Sequence, residues 1–199
     1  EREGRSIIHM EIGRPDFDSP ACAKEAAVAA LRAGNVHYTD MAGAYDLRCA
    51  VAEKYRRDNA MDVDADKNVV ITNGAMEALM ASFLTLLEPG DEVVVPAPYF
   101  SAYADVLAIA NGVLVPVATR MEDGFRLHID DLKKARTAKT KAILLNSPNN
   151  PSGAVLTREN LEEIAAFAIE NDIWVISDEC YEKFLYEGEH VSIASLPGM

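Results

Sequence analysis

Five short runs of β-branched and aliphatic residues, at 69–72, 93–95, 113–117, 142–145 and 173–176, are separated by segments of helix length, and they constrain the fold more than any other feature. The runs are almost unbroken in their apolarity, whereas a strand with one wet face alternates, so they predict strands buried on both faces. Segments 75–87, 99–111 and 158–171 have helical spacing and lie between runs. That order is βαβα, and helical crossovers join parallel neighbours. The expected fold is therefore α/β, a largely parallel sheet flanked by helices. Ahead of it, Gly13, Pro15 and Pro20 break up an irregular arm. A helix is predicted over 21–33, stopped by Gly34, and a second, amphipathic one over 45–59, where Tyr45, Leu47, Val51, Ala52 and Tyr55 recur at helical intervals.

Charge and cysteine content narrow the function classes. The chain carries 19 basic and 32 acidic residues, a net charge of -13, which argues against phosphate-backbone recognition and so against a nucleic-acid partner. Cys22, Cys49 and Cys180 are odd in number and scattered, with no Cys-x-x-Cys pair and no histidine at ligand spacing, so neither a disulfide framework nor a metal site is expected, and a reducing cytoplasm fits. No apolar run approaches the roughly 20 residues that span a bilayer, and the start lacks the basic and apolar regions of a leader. A soluble, untargeted protein with no membrane partner is the expectation.

Open parallel sheets bind ligands beyond the carboxyl ends of their strands, so the residues just after each run carry the most information. Asn73-Gly74-Ala75-Met76 is a strand-to-helix turn whose amides and helix dipole suit an anion, although a glycine at such a junction also serves packing alone. It is neither Gly-x-Gly-x-x-Gly nor a P-loop, which lowers dinucleotide and nucleoside-triphosphate readings. Asp178 ends an apolar run, where an unpaired charge is costly, and a cationic partner is expected. It could cap a helix, form a structural ion pair, or keep a heterocyclic nitrogen protonated. Asn149-Asn150-Pro151-Ser152-Gly153 has the composition of a turn. With Asp178 on another strand end and Phe100 on a third, it could also orient a planar polar ligand by hydrogen bonding and stacking.

Several motifs in this order resemble those of fold-type I, pyridoxal-phosphate-dependent aminotransferases of the aspartate aminotransferase class. They are Ile12-Gly13-Arg14-Pro15-Asp16-Phe17-Asp18, His37-Tyr38-Thr39-Asp40 with Gly43 and Leu47-Arg48, Asn73-Gly74-Ala75-Met76-Glu77, Pro98-Tyr99-Phe100 with Tyr103, the Asn149 to Gly153 segment, and Asp178-Glu179-Cys180-Tyr181. The resemblance covers essentially the whole chain. It implies a smaller-domain arm at 1–19 and an incomplete cofactor-binding large domain at 20–199. It implies that Gly74 and the amides of Ala75 and Met76 hold the cofactor phosphate, that Phe100 stacks on the ring, and that Asp178 pairs with the ring nitrogen. Asn150 and Tyr181 are expected at the phenolic oxygen, Tyr38 at the phosphate site of a partner subunit in a homodimer, and Gly13 and Asn150 near the substrate. Asp178 and Tyr181 are the expected catalytic residues, and the substrates an amino acid and a 2-oxo acid.

The family's Schiff-base lysine has no counterpart here. Lys24, Lys54, Lys67, Lys133, Lys134, Lys139, Lys141 and Lys183 fall in helix, loop or charged contexts without its flanking motif. That lysine is also the proton-transfer base. The expectation is a longer natural polypeptide, with these 199 residues inactive on their own. Carbon–sulfur lyases of the same fold share these motifs, and a non-catalytic scaffold is the alternative if the chain is complete.

Overall fold

The computed structural model describes residues 6–8, 13 and 15–199. Ile12 and Arg14 of the first motif lie outside the described residues, as does His9. The chain divides into two compact units, Glu1–Thr39 and Asp40–Met199. The division falls beyond the first helix, whereas the sequence reading ended the arm at residue 19.

In the first unit, α1 spans Ala21–Arg32. Gly34 follows it at φ 81° and donates its amide to Leu31, a left-handed stop that glycine adopts without strain. Lys24 Nζ reaches back 2.6 Å to Asp18. Tyr38 and Gly13 are exposed.

In the second unit, α2 (Tyr45–Asn59) and α3 (Gly74–Leu86) precede β1 (Glu92–Ala97), α4 (Ala102–Ile109), β2 (Val113–Ala118), α5 (Ile129–Ala135), β3 (Thr140–Asn146), α6 (Arg158–Asn171) and β4 (Trp174–Asp178). The four strands lie in the order β2-β1-β3-β4, all parallel. Successive side chains point to opposite faces, and both faces are covered. Val94, Ile143 and Leu145 pack with Leu161, Ile164 and Phe167 of α6. Their neighbours Val93, Val95, Ala142 and Leu144 pack on the other side with Leu79, Phe83, Tyr103 and Leu107 of α3 and α4. Burial on two faces is why the central strands β1 and β3 carry continuous apolar runs, whereas the outer strands β2 and β4 are only partly buried.

Helix ends follow local chemistry. Thr157 caps α6 by accepting from the Asn160 amide, and Asp172 closes that helix in the left-handed region. The spacing argument assigned nothing to 129–135, yet α5 forms there. Asp130 and Asp131 in its first turn and Lys133 and Lys134 in its last complement the helix dipole.

Two expectations are corrected. No strand forms at 69–72, because no neighbouring strand lies beside it among the described residues. Ile71 N–H instead bonds Ala42 O at 2.9 Å, Val69 is buried and Val70 is 66% exposed. A strand exists only by pairing, and apolarity does not supply the pair. The helix expected over 99–111 is shorter, since Pro98-Tyr99-Phe100 forms the turn that leads into α4.

The loop before α2 is held by Arg48, a buried arginine that donates to Gly43 O at 3.2 Å and Ala65 O at 2.9 Å. Gly43 has φ 96°, and a Cβ there would lie 2.6 Å from the Ile71 side chain.

Candidate functional site

The sheet order changes direction between β1 and β3, one crossover leading from β1 to β2 on one side and the next leading to β3 on the other. Such a switch point opens a crevice at the carboxyl ends. The residues that converge there are Phe100 and Tyr103 after β1, Asn146 and Asn150 at the end of β3, and Asp178 at the end of β4.

Register explains how they meet. Asn146 and Asp178 are ladder partners, each two residues beyond a side chain that faces α3 and α4, Leu144 and Ile176 respectively. Both therefore turn toward the face that contains Tyr103. Tyr103 is 1% exposed, and its hydroxyl donates to Asp178 Oδ2 at 2.7 Å. Asp178 Oδ1 accepts from the Cys180 amide at 3.1 Å. Asn146 Nδ2 donates to Asp178 O at 3.0 Å, and its Oδ1 accepts from the Asn150 amide at 2.7 Å. Phe100 meets Tyr103 edge to face, with centroids 5.7 Å apart.

The cationic partner expected for Asp178 is not what holds it: among the described residues no basic side chain forms a salt bridge with it, and a buried phenol and a backbone amide do. Burial and then the Asp178 carboxylate push the Tyr103 hydroxyl far above the usual phenol range, so it remains a proton donor. Burial and then Asp178 also push the Cys180 thiol up to about 11.

The start of α3 supplies the opposite polarity. Gly74 sits at φ 73° with open space where a Cβ would project, and the Ala75 and Met76 amides have no acceptor among the described residues. Glu77 turns back to accept from the Asn73 amide. Ala75 and Asp178 line one cavity of about 970 Å³, which runs along the edge of β4 and is also bounded by Lys54, Trp174 and Cys180.

Of the expected site residues, Phe100, Asn150 and Asp178 are joined through Tyr103 and Asn146, and Ala75 shares a cavity with Asp178. Met76 and Gly74 are exposed at the same helix start. Tyr181 sits within the turn after Asp178 and packs edge-on to Phe184 at 6.1 Å. Gly13 and Tyr38 belong to the first unit. The arrangement can hold a planar cation against Asp178 beside an aromatic ring, with an anion at the α3 amides.

Sequence reasoning gave Tyr103 and Asn146 no role. The signal for Tyr103 was its place in an apolar helix three residues after Phe100, since a buried tyrosine needs an acceptor. Asn146 could be found only from the pairing of β3 with β4.

Comparison with known proteins places this geometry in context. Residues 5–197 match the family described as aminotransferase class I and II. An aromatic-amino-acid aminotransferase of Thermococcus litoralis is 46% identical over 97% of this chain and 50% of its own length. An arginine–pyruvate transaminase of Pseudomonas aeruginosa is 45% identical over 99% of this chain and 50% of its own. The solved structure of the aspartate aminotransferase from Thermus thermophilus with maleate superposes with a TM-score of 0.93 at 44% identity, covering 98% of this chain and 50% of that one. The chain spans about half the length of the curated relatives it matches.

Proposed function

This chain belongs to the class I and II aminotransferase family, and from that premise we propose that it forms part of an enzyme that moves an amino group from an amino acid to a 2-oxo acid with pyridoxal phosphate. The observation that carries the reading is Asp178: a half-buried carboxylate at the end of β4, held by Tyr103 and countered by no basic side chain among the described residues. A protonated pyridine nitrogen answers that charge, and the residues present fit the cofactor.

When bound, pyridoxal phosphate supplies an electron sink for the substrate's alpha carbon. Asp178 keeps a proton on the ring nitrogen. Phe100 packs on the ring, and Asn150 and Tyr181 donate to its phenolic oxygen. Gly74 leaves room for the phosphate, which the Ala75 and Met76 amides bind with the favourable end of the α3 dipole. Gly13 lies near the substrate carboxylate, on an arm at 1–19 that belongs to a smaller domain, while 20–199 belongs to the cofactor-binding domain. Tyr38 reaches the phosphate site of a partner subunit in a homodimer. The proton-transfer lysine lies outside these 199 residues, in keeping with relatives twice as long. Three free cysteines suit a reducing cytoplasm, and among the described residues no helix is long and apolar enough to cross a membrane.

The test is to titrate the intact protein with pyridoxal phosphate, reduce it with borohydride, locate the pyridoxyl group by peptide mass spectrometry, and assay transfer from the common amino acids to 2-oxo acids. Saturable binding, one labelled lysine and transfer from at least one amino acid are expected. Absence of saturable binding overturns the reading.

A further inference from the structure

The Asp178 side chain faces α3 and α4, while the opposite face of the same strand end carries a second polar cluster to which sequence motifs gave no role. Alternation along β4 puts Val175 against the cluster built on α6, and Ser177 and Glu179 continue on that side. Glu179 Oε1 accepts from Ser177 Oγ at 2.8 Å and from Ser192 Oγ at 2.9 Å. Its Oε2 lies 3.1 Å from His190 Nε2. A carboxylate only accepts, so the imidazole hydrogen sits on Nε2. The Glu179 and His190 side chains are 13% and 10% exposed, and His190 Nδ1 is buried without a partner. Glu179 is thus the ring's hydrogen-bond partner among the described residues.

The turn that follows is fastened a second time. Glu182 donates its amide to Glu179 O at 3.0 Å, and its carboxylate takes Lys54 Nζ at 2.5 Å and Asn59 Nδ2 at 2.8 Å from the end of α2. Tyr181 is bracketed by these two anchored acids. Ligand atoms of Glu179, Glu182 and His190 come within 4.8 Å of one another, as in a metal site, but both carboxylates are already committed to protein donors. The arrangement is that of an anchor.

We propose that Glu179, clamped by Ser177, Ser192 and His190, is a positioning residue that fixes the strand end from behind, so that Asp178 and Tyr181 keep their orientation toward the cofactor. This rests on the pyridoxal-phosphate reading above. The physical need is specific: the β3–β4 ladder ends at the Asn146–Asp178 pair, so the turn beyond it that carries Tyr181 is not held by strand pairing. Small errors of placement at a reacting centre are expensive.

The experiment uses the intact protein loaded with pyridoxal phosphate and compares His190→Ala with His190→Gln, whose amide nitrogen takes the place of Nε2–H. In His190→Ala the pH midpoint of the bound cofactor's visible absorbance shifts by about one unit, and kcat falls about tenfold with KM little changed. His190→Gln restores both to within about twofold of the parent. An alanine variant with the parent's midpoint and kcat, or a glutamine variant as impaired as the alanine one, overturns the proposal. If His190→Ala does not fold, Ser192→Ala removes one of the three donors and is read the same way, with about a threefold loss of kcat expected and an unchanged midpoint and kcat counting against the anchor. If the parent takes up no pyridoxal phosphate, the functional reading itself has failed and this inference falls with it, an outcome visible before any variant is made.

Discussion

The Tyr103 hydroxyl donates to Asp178 Oδ2 at 2.7 Å, joining the first turn of α4 to the end of β4 across the face of the sheet. Burial on one partner and charge on the other make this bond stronger than an ordinary surface contact. It predicts that Tyr103→Phe, which keeps the ring against Phe100, costs about 1–3 kcal/mol of stability. In the intact enzyme kcat falls about tenfold while KM stays within about twofold. Denaturant unfolding and steady-state kinetics check both, and a variant that matches the parent in each removes Tyr103 from the site.

Gly43 and Gly74 both have positive φ but different surroundings, so they separate folding from binding. Gly43→Ala drives a Cβ to 2.6 Å from Ile71. It destabilises by about 3 kcal/mol or more, strain and overpacking combined. Gly74→Ala meets nothing within 4 Å and costs only about 1–2 kcal/mol of backbone strain. Its methyl crowds the proposed phosphate site, so pyridoxal-phosphate affinity falls while the fold survives. Thermal unfolding alongside cofactor titration distinguishes the two, and unchanged affinity in Gly74→Ala counts against a phosphate there.

With its thiol pushed up to about 11, Cys180 is mostly protonated at neutral pH. Only about one molecule in a thousand carries the thiolate at pH 8, so iodoacetamide labels Cys180 slowly, at a rate rising about tenfold per pH unit. Asp178→Asn removes the charge that helps raise it, and labelling accelerates severalfold. Peptide mass spectrometry across pH 7 to 10 reads the rates. Fast labelling of the parent at pH 7 contradicts the arrangement.

Glu182 is a carboxyl that burial alone would raise, but bonds from Lys54 and Asn59 bring it below its ordinary value of 4.5. A carboxyl lowered in the folded state contributes stability that is fully present above pH 4.5 and is lost as pH falls through the folded value. Glu182→Gln therefore destabilises the intact protein by about 1–3 kcal/mol at pH 7, and the difference closes toward pH 3. Denaturation midpoints of parent and variant at the two pH values measure it. A difference that grows on acidification has the wrong sign for this pairing.

The strands at β1, β2, β3 and β4 and the helices α1, α2, α3 and α6 were legible within a few residues, because a short unbroken apolar run and a helix with one apolar stripe leave different periodicities. The segment 69–72 has the same composition as the true strands and is not one, because pairing depends on a neighbour that composition does not encode. Helix α5 is short: its apolar positions Ile129, Leu132 and Ala135 pack on the core, but three residues over two turns are too few to stand out as a period.

The sequence by itself determined the α/β alternation and the family, and it singled out Asp178, Asn150 and Phe100 as the groups proposed for a planar polar ligand, since these depend on local pattern and residue chemistry. Only the tertiary structure decided what holds them. Tyr103 and Asp178 are 75 residues apart, and Glu179 and His190 come from either side of a turn, so their bonds exist only once register has assigned each side chain to a face. Parallel pairing of β3 with β4 puts Asn146 beside Asp178, and alternation along β4 sends Asp178 to one face and Glu179 to the other. A shift of one residue in that register would exchange the two acids, leaving the same motif with its charge on the wrong side of the sheet.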